Sequence, residues 1–425
     1  MNPLKKQLLS LSGGFYLIIY WMVFSRDDFP FFVHNPSLVY LDSAASTQKP
    51  QAVINAVSHY LAHDYSNIHR GDYDAAFRSE QLYQHTKKLC AQWLGKHERD
   101  IVFGPSGTTL AQWIIDALVA MPGIRRVCVG IWDHHATIVP LYLAQQHYHF
   151  VLDYCPLDEG GDPDYDRLVR NPCDLFVCSH ASNVTGMVVD TYRLRQSLDQ
   201  KTLLVLDMSQ TFAHRDCADA SYDACFATSH KAYALTGCGI GRLDPSLRDR
   251  CIPRHGGGGI VEDVRTDGFV RKSGTAGREP GTPNLESIVS LGASLEYCLA
   301  GGGIAAMREY EHSLDTVMMT MQQQFVDKRG PMIHALPSGT NHCPVYSFSC
   351  AGLTQKTGLG LRAVTQRLGD AGVCVRGGGH CAYPLMHFLG LPEGTVRVSC
   401  GIYTTPDDIQ CFWERMDAFC TCYCL

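Results

Sequence analysis

The chain has 425 residues, 45% of them apolar and 18% charged, with a formal net charge of −6. This length can bury a sizeable core and suggests two or three domains. Interspersed acids and bases exclude the clustered basic patch of a nucleic-acid binder. An odd count of 19 cysteines without framework spacing excludes a small secreted disulfide scaffold and points to a reducing cytoplasm.

Residues 1–23 read as an N-terminal extension. Lys5 and Lys6 precede an apolar run whose uninterrupted part, Phe15 to Phe24, is about half a membrane span. No small-residue cleavage site follows it, only "FSRDD". The expectation is no stable membrane insertion, Met22 as the natural start, and no role for the extension in the fold.

The middle of the chain alternates short apolar runs with helical patterns. "DIVFG" (100–104) predicts a strand and "TTLAQWIIDALVAM" (108–121) a helix. "RRVCVGI" (125–131) is a strand and "ATIVPLYLAQQ" (136–146) a helix. "DLFVCS" (174–179), "TLLVLD" (202–207) and "DACFAT" (223–228) are further strands. Continuously apolar strands separated by helices indicate a largely parallel sheet covered on both faces. Cys128 and Cys178 lie inside such strands and read as small core hydrophobes.

From residue 286 the pattern changes to helices at 286–300 and 304–326, "VYSFSC" (345–350), a helix at 358–370, "VCVR" (373–376) and a helix at 405–418. The division expected is a large domain over 24–285 and a smaller α+β domain over 286–425, with 24–39 packing against the latter. In the tail, Cys420, Cys422 and Cys424 are two apart, which is not zinc-ligand spacing, and no metal site is expected. The last four residues match a prenylation box, which reads as a chance match.

Ligands of open α/β sheets gather beyond the carboxyl ends of the strands. Four such ends here carry polar groups: Ser106 to Thr109, His180 to Asn183, Asp207, and Thr228 to Lys231. "PSGTT" (105–109) opens a helix, where backbone N–H groups favour a phosphate, although most such loops are plain N-caps. Taken alone, Lys231 reads as an ordinary exposed lysine and Asp207 as a cap or ion-pair partner. Taken together, a lysine, an acid and a phosphate cradle match the needs of pyridoxal phosphate.

The joint order of several stretches carries a resemblance. They are "YLDSAASTQKP" (40–50), "SNIHRG" (66–71), "DHHATIVP" (133–140), "SNVTG" (182–186), "LDMSQ" (206–210), "SHKAY" (229–233), "EPGTPN" (279–284) and "RGGGHCAYPLM" (376–386). With these the chain resembles the group II cysteine desulfurases, which include cysteine sulfinate desulfinases and selenocysteine lyases, within the class V aminotransferase superfamily. The resemblance runs from about residue 24 to the final helix. It implies the pyridoxal-phosphate-dependent transferase fold of type I: a large α/β domain with a mostly parallel seven-stranded sheet, and a smaller α+β domain.

The resemblance also implies roles. Lys231 would hold pyridoxal phosphate covalently, Asp207 would face its pyridine nitrogen and His134 would stack on its ring. Asn183 and Gln210 would reach the ring oxygen. Thr108, Thr109, Thr228 and His230 would bind phosphate, and Thr282 the phosphate of a second subunit, which implies a homodimer. Arg376 would pair the substrate carboxylate, with Ala45 and His69 also near the substrate. Cys381 would take sulfur from L-cysteine as a persulfide, leaving alanine. Its glycine-rich loop would let it swing towards a small sulfur-acceptor protein or scaffold, as in iron–sulfur cluster assembly. Cysteine sulfinate or selenocysteine is the alternative substrate implied. A class V aminotransferase or epimerase, or a binding partner without catalysis, is the further alternative.

The chain departs from the family pattern at several positions. Leu110 stands for a glutamate, Trp113 for an asparagine, Ser229 for a glycine, Ala234-Leu235 for Gly-Pro, and Gly379 for a histidine.

Overall fold

The computed structural model describes residues 5–11, 15–21, 24–69, 71–218, 220–248, 250–251 and 254–423. Strands β1 (Lys5–Leu11) and β2 (Phe15–Trp21) pair antiparallel, from Lys5 opposite Trp21 to Leu11 opposite Phe15. The extension thus contains a hairpin of regular backbone, where no part in the fold was expected. Met22, Cys424 and Leu425 lie outside the described residues. A short β3 (Val39–Tyr40) follows.

The large sheet contains β4 (Ile101–Gly104), β5 (Arg126–Gly130), β6 (Val151–Cys155), β7 (Leu175–Ser179), β8 (Leu203–Asp207), β9 (Ala224–Thr228) and β10 (Gly239–Leu243). Its spatial order is β4-β10-β9-β8-β7-β5-β6. All pairs are parallel except those of β10, which runs antiparallel to both β4 and β9. Every residue of β7 and of β9 is buried, as their uninterrupted apolar runs require of strands covered on both faces. The sequence pattern located five of the seven strands. It passed over β6, which is partly exposed at the edge, and β10, "GIGRL", whose two glycines and arginine hide its apolar content.

The helix Gly107–Val119 lays Leu110, Ala111, Ile114, Ile115 and Leu118 against the sheet, at the three- and four-residue spacing of one helix face. Its first turn is closed by Ser106, whose Oγ accepts the Thr109 N–H at 3.1 Å. The sheet's reversal at β10 has a consequence for function. The link from β9 to β10 turns back at the carboxyl end of the parallel strands, and Lys231 sits on that link. There β10 passes so close to the Ser106 turn that an added Cβ on Gly239 would lie 2.4 Å from the Ser106 carbonyl oxygen.

An exposed hairpin, β11 (Val261–Arg265) with β12 (Gly268–Arg271), follows. Helices Leu285–Ala300 and Gly303–Arg329 lead into a four-stranded sheet of order β13-β14-β17-β16. Its strands are β13 (His334–Ala335), β14 (Val345–Ser349), β16 (Arg376–Gly378) and β17 (Thr395–Ser399). The expected strand "VCVR" is divided. β15 (Val373–Cys374) pairs parallel with β3, and Arg376 opens β16 beside β17. Likewise the 358–370 helix begins at Leu361, after a separate helix Ala351–Thr357 that Gly358 ends in the left-handed conformation. Val39 and Leu41 pack in one core with Phe348, Val373, Phe412 and Trp413, which ties the start of the chain to its end. Among the described residues no single helix is long and apolar enough to cross a membrane.

Candidate active site

A cavity of about 450 Å³ opens where the strand ends of the large sheet meet the β16–β17 side of the small one. β8 contributes Asp207, 6% exposed, and the turn after it Gln210, 5% exposed. The loop after β7 contributes Asn183, and the end of β9 contributes Thr228. The β9–β10 link supplies His230 and Lys231. His134 enters as N-cap of the helix His135–Gln145, its Nδ1 accepting the Ala136 N–H at 3.0 Å. Ser106, Gly107 and Thr108 bring a helix N-terminus, whose free N–H groups suit an anion. Ala44 and Ala45 line one wall, where Gln210 Nε2 donates to the Ala44 carbonyl at 2.9 Å. Cys381 stands at the rim, exposed.

Burial tunes these groups. It lowers the Lys231 amine to about 8 and outweighs the Asp207 carboxylate, which acts the other way. Burial raises the Asp207 carboxyl, against the Ser209 N–H that donates to its Oδ1 at 2.8 Å and against Lys231. His134 is held down to about 3 and His230 to about 4, each by burial first and by Lys231 next. Both imidazoles are therefore neutral near pH 7.

The cavity has unmet polar demand. His230 Nδ1, Asn183 Oδ1, His380 Nδ1 and Arg397 Nε are buried without a hydrogen-bond partner, and all four residues line it. Such groups call for a polar occupant. A phosphorylated pyridine aldehyde fits the donor set. It would find an amine at Lys231, an acid at Asp207, an anion cradle at Ser106–Thr108, Thr228 and His230, and ring-oxygen donors at Gln210 and Asn183.

Three expected residues lie elsewhere. Thr109 turns its hydroxyl to Ser106 Oγ at 2.9 Å and serves the helix cap. Thr282 lines a neighbouring cavity of about 240 Å³ that meets the first at Gly237. His69 lines a third cavity of about 640 Å³, paired with Glu80 at 2.9 Å. His180, after β7, turns inward to Thr211 Oγ1 at 3.0 Å.

Arg376 reaches the cavity, but Asp42 already holds it. Its Nη2 lies 2.8 Å from Asp42 Oδ2 and its Nε 3.1 Å from Oδ1, and half of its side chain is exposed. Sequence reasoning missed a second arginine. Arg397 is 3% exposed, donates to the Asn183 carbonyl at 2.9 Å and to Asp42 Oδ1 at 3.2 Å, and keeps Nε unpartnered. An arginine in the middle of "TVRVS", a strand buried at every position, was the available signal, because such a charge needs a partner or a ligand.

The departures from the family pattern sit around this cavity without removing its polar groups. Leu110 joins the apolar core under the Gly107–Val119 helix. Trp113 stacks on His255, ring centroids 3.8 Å apart. Ser229 Oγ donates to the carbonyls of Leu235 at 2.6 Å and Cys238 at 2.9 Å, pinning the link that bears Lys231.

Residues 39–412 match the family described as Aminotransferase class-V. The chain is 30% identical over 400 residues to a probable cysteine desulfurase of Mycolicibacterium paratuberculosis, covering 91% of this chain and 56% of that protein. It is 29% identical over 388 residues to a probable cysteine desulfurase of Vibrio cholerae, covering 89% of this chain and 92% of that protein. The solved structure of the cysteine desulfurase CsdA from Escherichia coli aligns with a TM-score of 0.82 at 26% identity, over 94% of this chain and 98% of that one.

Proposed function

The chain belongs to the class-V aminotransferase family, and from that premise we propose that it is a pyridoxal-phosphate-dependent cysteine desulfurase that converts L-cysteine to L-alanine and carries the sulfur on Cys381. The observation that carries the reading is the convergence of a buried amine, a buried acid and one exposed thiol on a single cavity. Fourteen of the eighteen cysteines among the described residues are buried, and Cys381 is the exposed one that faces this cavity.

Bound pyridoxal phosphate would supply an electron sink for negative charge developing at the substrate Cα. The chain's residues do the rest. Lys231 would hold the cofactor, and its amine, lowered by burial to about 8, can both take and return the substrate Cα proton. Asp207 would be the acid partner of the pyridine nitrogen, and His134, kept neutral by burial, would lie against the ring without adding charge. Arg397, with Arg376 at the rim, receives the substrate carboxylate. The Cys381 thiolate attacks the substrate sulfur. An S–S bond forms, the C–S bond breaks with its electron pair going to the carbon fragment, and that fragment takes up protons to become alanine.

A second copy of the chain is the proposed partner in the resting enzyme. Exposed Phe77 beside the His69 cavity, and exposed Phe269 and Val270 on the β11–β12 hairpin, are apolar surfaces suited to it. We also read 24–285 and 286–425 as the two domains, a small protein as the sulfur acceptor, and the cytoplasm as the location, since the buried thiols pack as reduced core side chains.

The test is incubation of the cofactor-loaded protein with L-cysteine, followed by alanine assay and mass spectrometry of the Cys381 peptide. Alanine and one added sulfur on that peptide are expected. Pyruvate with an alanine donor, or alanine only from cysteine sulfinate, would overturn the reading.

A further inference from the structure

Two guanidinium groups share one carboxylate on the small-sheet side of the cavity. Arg376 and Arg397 are directly opposite each other on β16 and β17, and both line the cavity. Like charges so placed repel and need a counter-ion. Asp42 supplies it. Its Oδ2 accepts Arg376 Nη2 at 2.8 Å, and its Oδ1 accepts Arg376 Nε at 3.1 Å and Arg397 Nη2 at 3.2 Å. Among the described residues no other carboxylate pairs with either arginine.

The backbone around Asp42 is fixed on both sides. The Leu41 N–H donates to the Cys374 carbonyl at 2.9 Å, and the Leu41 carbonyl accepts the Ser399 N–H at 2.8 Å. The Ser43 N–H donates to the Ser399 carbonyl at 3.3 Å. Asp42 is therefore a built-in counter-ion, not a stand-in that substrate pushes out. Two arginines and one aspartate leave one positive charge at this end of the cavity. Lys231 and Asp207, the other ionic side chains lining it, are of opposite sign and offset each other. L-Cysteine brings one carboxylate and a thiol that is mostly neutral at pH 7, so it cancels that charge. Cysteine sulfinate brings two anions and leaves one without a cation, which is costly away from bulk water.

We propose that Asp42 is a specificity-determining residue: by cancelling one of two arginine charges, it fits the cavity to an amino acid with a single negative charge, L-cysteine, over its dianionic sulfinate. This deepens the desulfurase reading of the same site and rests on it. Asp42 acts through the arginines, so its effect should follow the charge count and not the presence of its own side chain.

The test reads affinity from the cofactor absorbance of the loaded protein, titrated with L-alanine, which has a neutral side chain, and with L-cysteate, which has an anionic one. Asp42→Asn should raise the preference for L-cysteate over L-alanine about tenfold, the low end for one charge at short range. Arg376→Ala should lower that preference. The double variant has the wild-type charge again and should return to within about twofold of wild type, as opposed effects that cancel. An unchanged preference in Asp42→Asn, or a double variant no closer to wild type than Asp42→Asn, overturns the proposal. Should Asp42→Asn fail to fold, Arg376→Ala decides alone: a preference that does not fall contradicts the charge count. If the wild-type protein makes no alanine from L-cysteine while the variants keep this order, the desulfurase reading fails and Asp42 still sets the charge that the site accepts.

Discussion

Asp207 and Gln210, on the floor of the cavity, are buried and hang from strand ends of the large sheet. On its rim, Arg376 and Cys381 are exposed; Arg376 opens β16 and Cys381 lies on the segment that joins β16 to β17 in the small sheet. The floor works by burial, which sets the protonation of Lys231, His134 and His230. The rim works by access, with backbone geometry holding a thiol where a second molecule can reach it. The two should therefore fail separately when mutated.

The largest expected effect is on the floor. Lys231→Ala should cut alanine formation by about 10³-fold or more and abolish covalent cofactor attachment, read by borohydride reduction and mass spectrometry. Retained attachment would place the reactive amine elsewhere. The two arginines, both on the small sheet, compare burial with access directly. Arg397→Ala should lower kcat/KM by about a hundredfold, the scale for truncating a buried charge pair. Arg376→Ala should lower it by about fivefold at most, as for an exposed pair. The reverse order would return the carboxylate to Arg376.

A pH series sharpens the same contrast. Burial depresses the Lys231 amine to about 8, so the neutral, reactive form grows as pH rises towards that value and is complete above it. The rate at which apo-protein captures added pyridoxal phosphate should rise about tenfold per unit below pH 8 and level off above it. A rise continuing towards pH 10 would mean an unperturbed lysine. The smallest effect is structural: Ser106→Ala should destabilise the apo-protein by about 1 kcal/mol through loss of the helix cap, read by denaturant unfolding.

Much of the floor was legible in sequence because its polar groups interrupt apolar strands at their ends, as Asp207 does after "LLVL". The rim was less so. Arg397 lies within a strand, where its environment depends on what β16 and Asp42 bring beside it. Sequence also cannot show that Gly379 and Tyr383, four residues apart, share one space, so three glycines read as slack. His69 and Thr282 face other cavities within one chain, and a motif alone does not say which subunit's site a residue serves. β10 went unseen because antiparallel pairing, not an apolar run, places it in the sheet.

The separation of floor from rim is tested most directly by Cys381→Ala loaded with cofactor and mixed with L-cysteine. The account predicts that substrate still changes the cofactor absorbance, as an intact floor requires, while sulfur release and alanine fall to background. Sulfur release at the wild-type rate would contradict it.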